Sequence, residues 1–436
     1  MKHLVIAEKP SVGRDIARVL KCSEKNSGFM SGDDYLVTWA FGHLVTNKEP
    51  DEIDTKYAAW KMEDLPILPD PIPLKVLPKT KNQYDLIVSL MNSEEVDQVI
   101  CATDAGREGE LIFRYIYQMA GCRKPVQRLW ISSMTPQAIR EGFQNLRPAE
   151  EYDNLYESAL CRSDADWLIG MNGSRAFSIP HKTILSVGRV QSPTLAILVE
   201  REIQRRNFVP EQYWILTGDF DGYDGEWFDP HVEGENAHWI REDRIETMRL
   251  FTEQLPGKWS TVKEYFTEKK SVPSPQLFDL TALQREANRR YGFSAKKTLQ
   301  ITQDLYEKRK AVTYPRTDSR FLSHDMANTL KSRLEKLTNP EWSSCVKEAL
   351  ASEKKLFGRY INDAGVSDHH AIIPTGYTCG DSNWTDGEKK VFDLIVRRYI
   401  AMFFPDREIV EQTAITEVEG ELFRSHGEIV ISDGWG

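Results

Sequence analysis

Two segments of the chain share one layout, strand then acidic loop then helix, and this repeat constrains the fold more than any other feature. The apolar run 3–7 leads into Glu8 and then into a helical pattern over 12–20. The apolar run 99–103 leads into Asp104 and then into a second apolar-periodic helix. This layout predicts an open parallel α/β sheet, in which the carboxyl ends of the strands meet in one crevice.

Carboxylates are concentrated in these two loops. Glu8 and Asp104 follow strands, and Glu108 lies in the first turn of the second helix. Oxygen ligands at such a place suit Mg²⁺, which keeps waters, takes phosphate oxygens and neutralises charge on a phosphate in transfer. The alternative is a solvated first turn that the helix dipole favours. We adopt that alternative for Glu110 and predict metal binding for Glu8, Asp104 and Glu108. Lys9 could bind phosphate or act as a general acid, although a lysine in such a loop is usually solvated.

The segment 312–320, VTYPRTDSR, is poorly explained by packing. Tyr314 precedes a proline, which disfavours helix there, and Arg316 follows two residues later. A phenol can attack phosphorus, and a guanidinium can hold the phosphate that is attacked. An isolated Tyr-Pro pair would be interpreted instead as a half-buried loop tyrosine with a bonded hydroxyl.

The same region is strongly basic within an acidic chain. Residues 285–320 hold ten Lys and Arg against four acids, with four aromatic side chains between them, whereas the net charge of all 436 residues is −10. Basic side chains with interleaved aromatics are typical of proteins that hold single strands. An ordinary solvated helix pair is an alternative, and so is a helix–turn–helix with 295–308 as its second helix. A repressor would have no need of the acidic cluster.

Two adjacent histidines form the remaining unusual motif, Asp368-His369-His370. Neighbouring side chains point in different directions, so both cannot easily bind one metal. One of them could bond a phosphate near the tyrosine, and a capped or core histidine is equally compatible with the sequence.

The composition limits the class of protein. An apolar fraction of 40% and a charged fraction of 28% are typical of soluble globular proteins, here with two to four domains. No apolar run reaches spanning length, and the N-terminus meets an acid too early for a signal peptide. The cysteines lack a C-x-x-C pair, which argues against zinc ribbons and against a disulfide framework. This cysteine usage fits a protein of the reducing cytosol. They are Cys22, Cys101, Cys122, Cys161, Cys345 and Cys379.

The rest of the chain alternates between helical and strand-like patterns. The stretch 84–90 can supply another sheet element, and Asp279 or Thr281 can cap a helix that Gly292 ends, with Ser294 capping the next. Strand-like alternation flanks this helical block on both sides, so we interpret the block as an excursion from a β domain.

A tyrosine nucleophile, a carboxylate–Mg²⁺ site and a basic groove together predict reversible transfer of a phosphodiester to the protein. Storing the bond energy in a tyrosyl phosphate allows resealing without ATP, and the chain has no G-x-x-x-x-G-K-[ST] loop. On several independent motifs the chain resembles the type IA DNA topoisomerases, within them the bacterial topoisomerase III group. These motifs are AEKPS at 7–11, ATD at 102–104 with REGE at 107–110, GRVQSP at 188–193, YPRTDS at 314–319 and HHAI at 369–372.

The resemblance implies a multidomain α/β plus α+β fold arranged as a toroidal type IA core. Its first parts would be a Toprim α/β domain at 1–150, with an insert at about 40–75, and a helical single-strand-binding domain whose first part is 151–212. A β-rich gate domain at 213–278, completed by 408–436, and a helical tyrosine-bearing domain at 279–407 would follow. It further implies passage of a strand through a transient break, to relax or decatenate DNA.

The same matching implies roles for individual residues. Tyr314 would take the 5′-phosphate, Glu8, Lys9 and Arg316 would act at the scissile phosphate, His369 would assist the tyrosine, and Mg²⁺ would bind Glu8, Asp104 and Glu108. The strand path would be lined by Arg162, Asp166, Arg189, Gln191, Ser192, Thr317, Asp318 and Ser319. We expect a cytoplasmic, nucleoid-associated monomer that acts on single-stranded and underwound DNA, with a helicase or a single-strand-binding protein as possible partners and no membrane contact.

The sequence departs from the family pattern in two ways. Many members carry D-x-D in the Toprim loop, whereas Gly106 stands at the second position here, which predicts weaker or more hydrated metal binding. Family members also continue beyond residue 436, so we expect either a longer protein or a shortened copy. The alternative function is therefore a DNA-binding remnant that cannot pass strands, and another Toprim enzyme would have no use for the Tyr314 segment.

Overall fold

The computed structural model describes residues 1–131, 134–234, 236–366, 369–376 and 383–436. Asp368 and Cys379, which the sequence motifs include, lie outside these ranges. Within them, the helices are too short or too polar to cross a bilayer.

A seven-stranded sheet with a parallel centre forms the N-terminal part, in the order β2-β3-β4-β1-β7-β8-β9. Strand β1 pairs in parallel with β4 and β7, and β7 with β8, so the predicted α/β sheet is confirmed. The strands of the N-terminal part are β1 (Lys2–Ala7), β2 (Glu24–Asn26), β3 (Phe29–Ser31), β4 (Tyr35–Trp39), β5 (Val45–Asn47), β6 (Leu74–Val76), β7 (Val96–Ala102), β8 (Val126–Arg128) and β9 (Arg147–Pro148). The helices are α1 (Pro10–Val19), α2 (Pro50–Ile53), α3 (Lys81–Asn92), α4 (Arg107–Met119) and α5 (Pro136–Gln144).

Apolar side chains on both faces fix this sheet. Leu4 and Ile6 of β1 pack into the core under α3 and α4, and Val5 and Ala7 pack into the core on the α1 side. The expectation of a sheet element at 84–90 is wrong, because that stretch lies inside α3. Its buried residues recur at helical spacing, and so short an apolar run does not distinguish helix from strand.

Two long helices follow, α6 (Asp153–His181) and α7 (Gln191–Arg206). Helix α6 packs against α4 and holds the segment inserted before α3. The indole nitrogen of Trp167 donates to the carbonyl of Lys48, and Arg175 donates to the carbonyl of Tyr57.

A five-stranded antiparallel sheet is built from two separate stretches, in the order β10-β11-β14-β13-β12. Its elements are β10 (Thr217–Asp219), β11 (Asp224–Trp227), α8 (Ile245–Gln254), β12 (Thr261–Val272), β13 (Arg407–Val418) and β14 (Glu421–Ser432). Glu419 and Gly420 adopt positive φ at the tight turn between β13 and β14, as a two-residue hairpin requires. Because β12 pairs with β13, the chain leaves this sheet and returns to it.

The intervening block is helical around one large apolar core. Its helices are α9 (Leu280–Tyr291), α10 (Ala295–Glu307), α11 (Leu330–Glu335), α12 (Ser343–Ala351) and α13 (Asp386–Ala401). The predicted boundaries are confirmed: Asp279 caps α9 through the amide of Ala282, Gly292 ends it at φ 66°, and Ser294 caps α10.

Candidate active site

Two acidic side chains meet where the central parallel strands end. Ala7 of β1 is in register with Ala102 of β7, which brings the loops after both strands together. The amide of Asp104 donates a hydrogen bond of 3.1 Å to Oε2 of Glu8. Burial and the neighbouring negative charge of Asp104 raise the pKa of Glu8 from 4.5 to about 6.

Two cationic or ionisable groups face the carboxylate of Asp104. Lys9 Nζ lies 3.1 Å and His369 Nε2 lies 3.3 Å from Oδ2 of Asp104. Burial opposes ionisation of Asp104, but the hydrogen bond from His369 and the charge of Lys9 prevail and lower its pKa to about 2. Burial likewise disfavours the Lys9 ammonium, yet the nearby Asp104 carboxylate keeps the pKa of Lys9 above its ordinary value. The site therefore contains a charged carboxylate that lies between the ammonium of Lys9 and the imidazole of His369.

Tyr314 joins this cluster from the helical block. Its segment runs beside residues 371–374: the Thr313 amide donates to the carbonyl of Ile373 at 3.0 Å, and the Thr313 hydroxyl donates to the carbonyl of Ala371 at 3.0 Å. The pairing sets Tyr314 beside His369, with ring centroids 4.3 Å apart. Lys9 Nζ lies 4.1 Å from the Tyr314 ring centroid. The structure thus brings Tyr314, His369, Lys9 and the two acids together.

A second phenol supports the tyrosine. Tyr306 of α10 meets Tyr314 edge to face, with centroids 5.4 Å apart. Burial raises the pKa of Tyr314 above 10, while Lys9 and Arg316 act in the opposite direction. The phenol is consequently protonated at neutral pH, and its proton must leave during any attack on phosphorus.

The two histidines point in different directions, as predicted. His369 faces the site, whereas His370 is half-buried with Nδ1 2.8 Å from the carbonyl of Ala371. Burial lowers the pKa of His370 to about 4, so it is neutral at physiological pH.

Thr317 and Ser319, expected on the strand path, are buried inside their loop. The Thr317 hydroxyl donates to the carbonyl of His369 at 2.8 Å, and the Ser319 hydroxyl donates to that of Gly365 at 2.7 Å. These hydroxyls serve the loop that carries Tyr314 and His369, and Thr317 also lines a groove with Arg316 and Asp318, so the place of both residues on the strand path stays a prediction.

Sequence reasoning missed Arg128, which is fully buried at the end of β8. Its guanidinium donates to the carbonyls of Cys101, Thr103, Leu129 and Asp104 and forms an ion pair of 3.0 Å with Glu110. Glu110 is 1% exposed, so our interpretation of it as a solvated first-turn residue is wrong. An arginine in a short strand gave no signal that it would fix the Asp104 loop.

The predicted metal ligands are only partly assembled. Glu8 and Asp104 are adjacent, whereas Oε1 of Glu108 lies 2.6 Å from Nε2 of His43. Across the described ranges, no group of three potential ligands is arranged to hold an ion. The donor types nevertheless fit Mg²⁺, because two carboxylates lie together and both burial and repulsion by Asp104 raise the pKa of Glu8, which a bound cation would oppose.

Comparisons with known proteins identify the family. A sequence profile described as Toprim domain matches residues 3–134, and one described as DNA topoisomerase matches residues 150–436. The chain belongs to the DNA topoisomerase family. The resemblance seen in the sequence motifs is thereby confirmed.

Several relatives in the topoisomerase family align with the whole chain. DNA topoisomerase 3 of Bacillus subtilis is 46% identical over 434 residues, and that of Shouchella clausii is 45% identical over 439. The chain spans 59% of the length of each of these curated relatives. A solved structure of full-length topoisomerase I from Thermotoga maritima shares the fold, with a TM-score of 0.66, 23% identity and coverage of 99% of this chain and 66% of that one.

The remaining residues predicted on the strand path lie in two places. On the α6–α7 side, Arg189 forms an ion pair of 2.8 Å with Asp166, the Ser192 hydroxyl accepts from the amide of Gly188, and Gln191 donates to the carbonyl of Ser186. Arg162 is exposed and, with Asp318 and Arg316, lines a groove that reaches Glu108 and His369.

The basic segment 285–320 contributes fewer free cations than its composition suggests. Arg289 and Arg290 both pair with Glu286, Lys308 pairs with Asp304, and Arg320 pairs with Asp279. For Arg289, Arg290 and Lys308 the ordinary helix-surface interpretation is the better one, whereas Arg320 lies in a loop and pairs with the N-cap of α9.

Proposed function

We propose that this chain carries the strand-cleaving centre of an ATP-independent type IA topoisomerase, similar to topoisomerase III. The observation that supports this best is the contact of Tyr314 with Lys9 and His369 around Asp104. It joins the ends of the Toprim strands to the tyrosine segment, although the two are far apart in the chain. A tyrosine that served only to pack a loop would not need this partner set.

In the proposed reaction, Oη of Tyr314 attacks a backbone phosphorus. A bond forms between Oη and phosphorus, the bond from phosphorus to the 3′-oxygen breaks, and the strand is left with a 3′-hydroxyl and a 5′-phosphotyrosyl link. Lys9 supplies the proton to the leaving 3′-oxygen, and Glu8 receives the phenol proton. Arg316 and His369 stabilise the charge on the phosphate. Resealing is the reverse of these steps.

Mg²⁺ would be held by Glu8, Asp104 and Glu108. The ion would supply positive charge next to the phosphate oxygens. The chain's own contribution is to keep Asp104 ionised and oriented, through Lys9, His369 and the buried guanidinium of Arg128.

The wider role follows from the same proposal. The five-stranded sheet and the tyrosine-bearing helical block would act as a gate around the passing strand, within a toroidal core. Single-stranded and underwound DNA would be the substrate, a helicase or a single-strand-binding protein would be a partner, and the enzyme would act as a monomer near the nucleoid. We infer these properties from the family; they apply to the protein as a whole.

Covalent trapping tests the proposal. The full chain is incubated with labelled single-stranded DNA and Mg²⁺, denatured and examined for a DNA–protein adduct. We expect an adduct with the wild type and none with Tyr314→Phe. A strand that binds but yields no adduct with either protein would favour the alternative, a DNA-binding remnant.

A further inference from the structure

A tryptophan that the proposed reaction does not use lies at the edge of the groove beside the active site. Trp130 follows β8 and is 39% exposed, although a residue of this size is usually well covered. The groove has a volume of about 870 Å³ and also contains Arg107, Arg162, Arg316 and His369.

The indole of Trp130 packs against two neighbouring side chains, Tyr152 and Arg128. Its ring stacks on Tyr152, with centroids 4.8 Å apart and an interplanar angle of 22°. The Cζ atom of Arg128 lies 5.1 Å from the Trp130 ring centroid, and that guanidinium is fixed by its buried hydrogen bonds. A side chain supported in this way loses little entropy when a flat ligand stacks on it.

The groove contains three arginines without a hydrogen-bonded acidic partner in the described part of the chain, together with the carboxylates of Glu108 and Asp318. Arg107, Arg162 and Arg316 are exposed, and in the described part of the chain no hydrogen bond or ion pair is found for them. By contrast, Arg189 and most arginines of 285–320 have acidic partners. Unpaired guanidinium groups around an aromatic platform are the features that bind a nucleic-acid backbone and a base.

We propose that Trp130 is the stacking platform for one unpaired base of the DNA strand bound in this groove. Arg107, Arg162 and Arg316 hold the neighbouring phosphates, and the indole covers the face of the base. Stacking is tolerant of sequence, since every base has a π-face, so Trp130 contributes affinity and register rather than strict base choice. The inference rests on the proposed function for its substrate.

Binding measurements with and without bases test the proposal. The affinity of a short fluorescent single strand is compared with that of a strand of equal length in which every position is abasic. Tyr314→Phe is used as the background so that the DNA stays intact. The variants are Trp130→Ala and Trp130→Phe, with Trp259→Ala as the matched control, because Trp259 is 96% exposed and does not line the groove.

We expect Trp130→Ala to weaken binding of the normal strand on the order of tenfold, the size of one base–aromatic stack. It should leave binding of the abasic strand unchanged, while Trp130→Phe keeps most of the affinity and Trp259→Ala all of it. Equal loss on both strands would indicate a purely structural role and overturn the proposal, as would no loss on either or no binding by the parent protein. If the wild type forms the adduct but Trp130→Ala does not weaken binding, only the stacking role of Trp130 is contradicted. If Trp130→Ala weakens binding but the wild type forms no adduct, only the cleavage reaction is contradicted.

Discussion

The ammonium of Lys9 lies 4.1 Å from the ring centroid of Tyr314, and the same ammonium bonds Asp104 at 3.1 Å. One cation therefore touches both the nucleophile and the acidic site. Burial disfavours the ammonium, and the Asp104 carboxylate opposes this effect, so the pKa of Lys9 lies above its ordinary value.

Removal of this charge should slow strand cleavage more than strand binding. We expect Lys9→Met to reduce the single-turnover rate of adduct formation on the order of a hundredfold, since the leaving oxygen loses its proton donor. Lys9→Arg should recover part of the rate, because the charge beside Asp104 returns. Lys25→Met, on the exposed strand β2, is the control. A Lys9→Met rate equal to that of the control would remove Lys9 from the mechanism.

Gly109 in the first turn of α4 leaves no room for a side chain. A Cβ there would collide with the backbone of Asp104, including its nitrogen at 2.9 Å. We expect Gly109→Ala to displace the Asp104 loop, lower the free energy of unfolding by about 1–3 kcal/mol and slow adduct formation at least about tenfold. Gly427→Ala is the control, since its Cβ would meet its nearest neighbour at an ordinary 3.6 Å. The two variants are compared by urea denaturation and by trapping.

The buried ion pair of Arg128 with Glu110 should respond asymmetrically to substitution. Arg128→Met leaves the Glu110 carboxylate with only Arg114, and we expect a loss of about 3–5 kcal/mol in the free energy of unfolding. The double variant Arg128→Met with Glu110→Leu should recover part of this loss, because no buried charge is left uncompensated. Arg249→Met, which breaks an exposed pair with Glu246, should cost less than about 1 kcal/mol. Equal losses of unfolding free energy for Arg128→Met and Arg249→Met would show that the buried ion pair is no more important for stability than an exposed one.

His370 should make stability depend on pH. Its pKa is about 4 in the folded chain and 6.5 as the ordinary value, so the unfolded state binds its proton first as the pH falls. The contribution is therefore complete above pH 6.5 and is lost progressively toward pH 4, at a cost of up to about 3 kcal/mol. We expect His370→Gln to reduce the difference in free energy of unfolding between pH 7.5 and pH 5, measured in urea. An unchanged difference would mean that His370 is not buried in its neutral form.

The sequence predicted those parts of the site that follow from general rules of α/β sheets. Glu8 and Asp104 were expected together because both follow parallel strands, and Tyr314 was recognised from its neighbours Pro315 and Arg316. The Arg128–Glu110 pair was not predictable, since no helical or strand spacing relates a residue of β8 to one of α4.

The sequence did not show which residues of the short polar motifs are exposed and which are buried. Thr317 and Ser319 belong to a motif that suggested DNA contact, yet tertiary pairing with residues near His369 buries them. Glu108 was predicted as a metal ligand because the strand ends converge, and in the structure its carboxylate contacts His43, which lies in a loop after β4 that gave no local signal.

The polarity of the covalent link tests the central claim most directly. A single-stranded oligonucleotide is labelled either at its 3′ end or at its 5′ end, incubated with the full chain and Mg²⁺, and denatured before electrophoresis. If Tyr314 takes the 5′-phosphate, the 3′ label should migrate with the protein, and the 5′ label should appear in a free, shorter fragment ending in a 3′-hydroxyl. Tyr314→Phe should give neither product. A 5′ label attached to the protein, or an adduct that persists in Tyr314→Phe, would contradict the account.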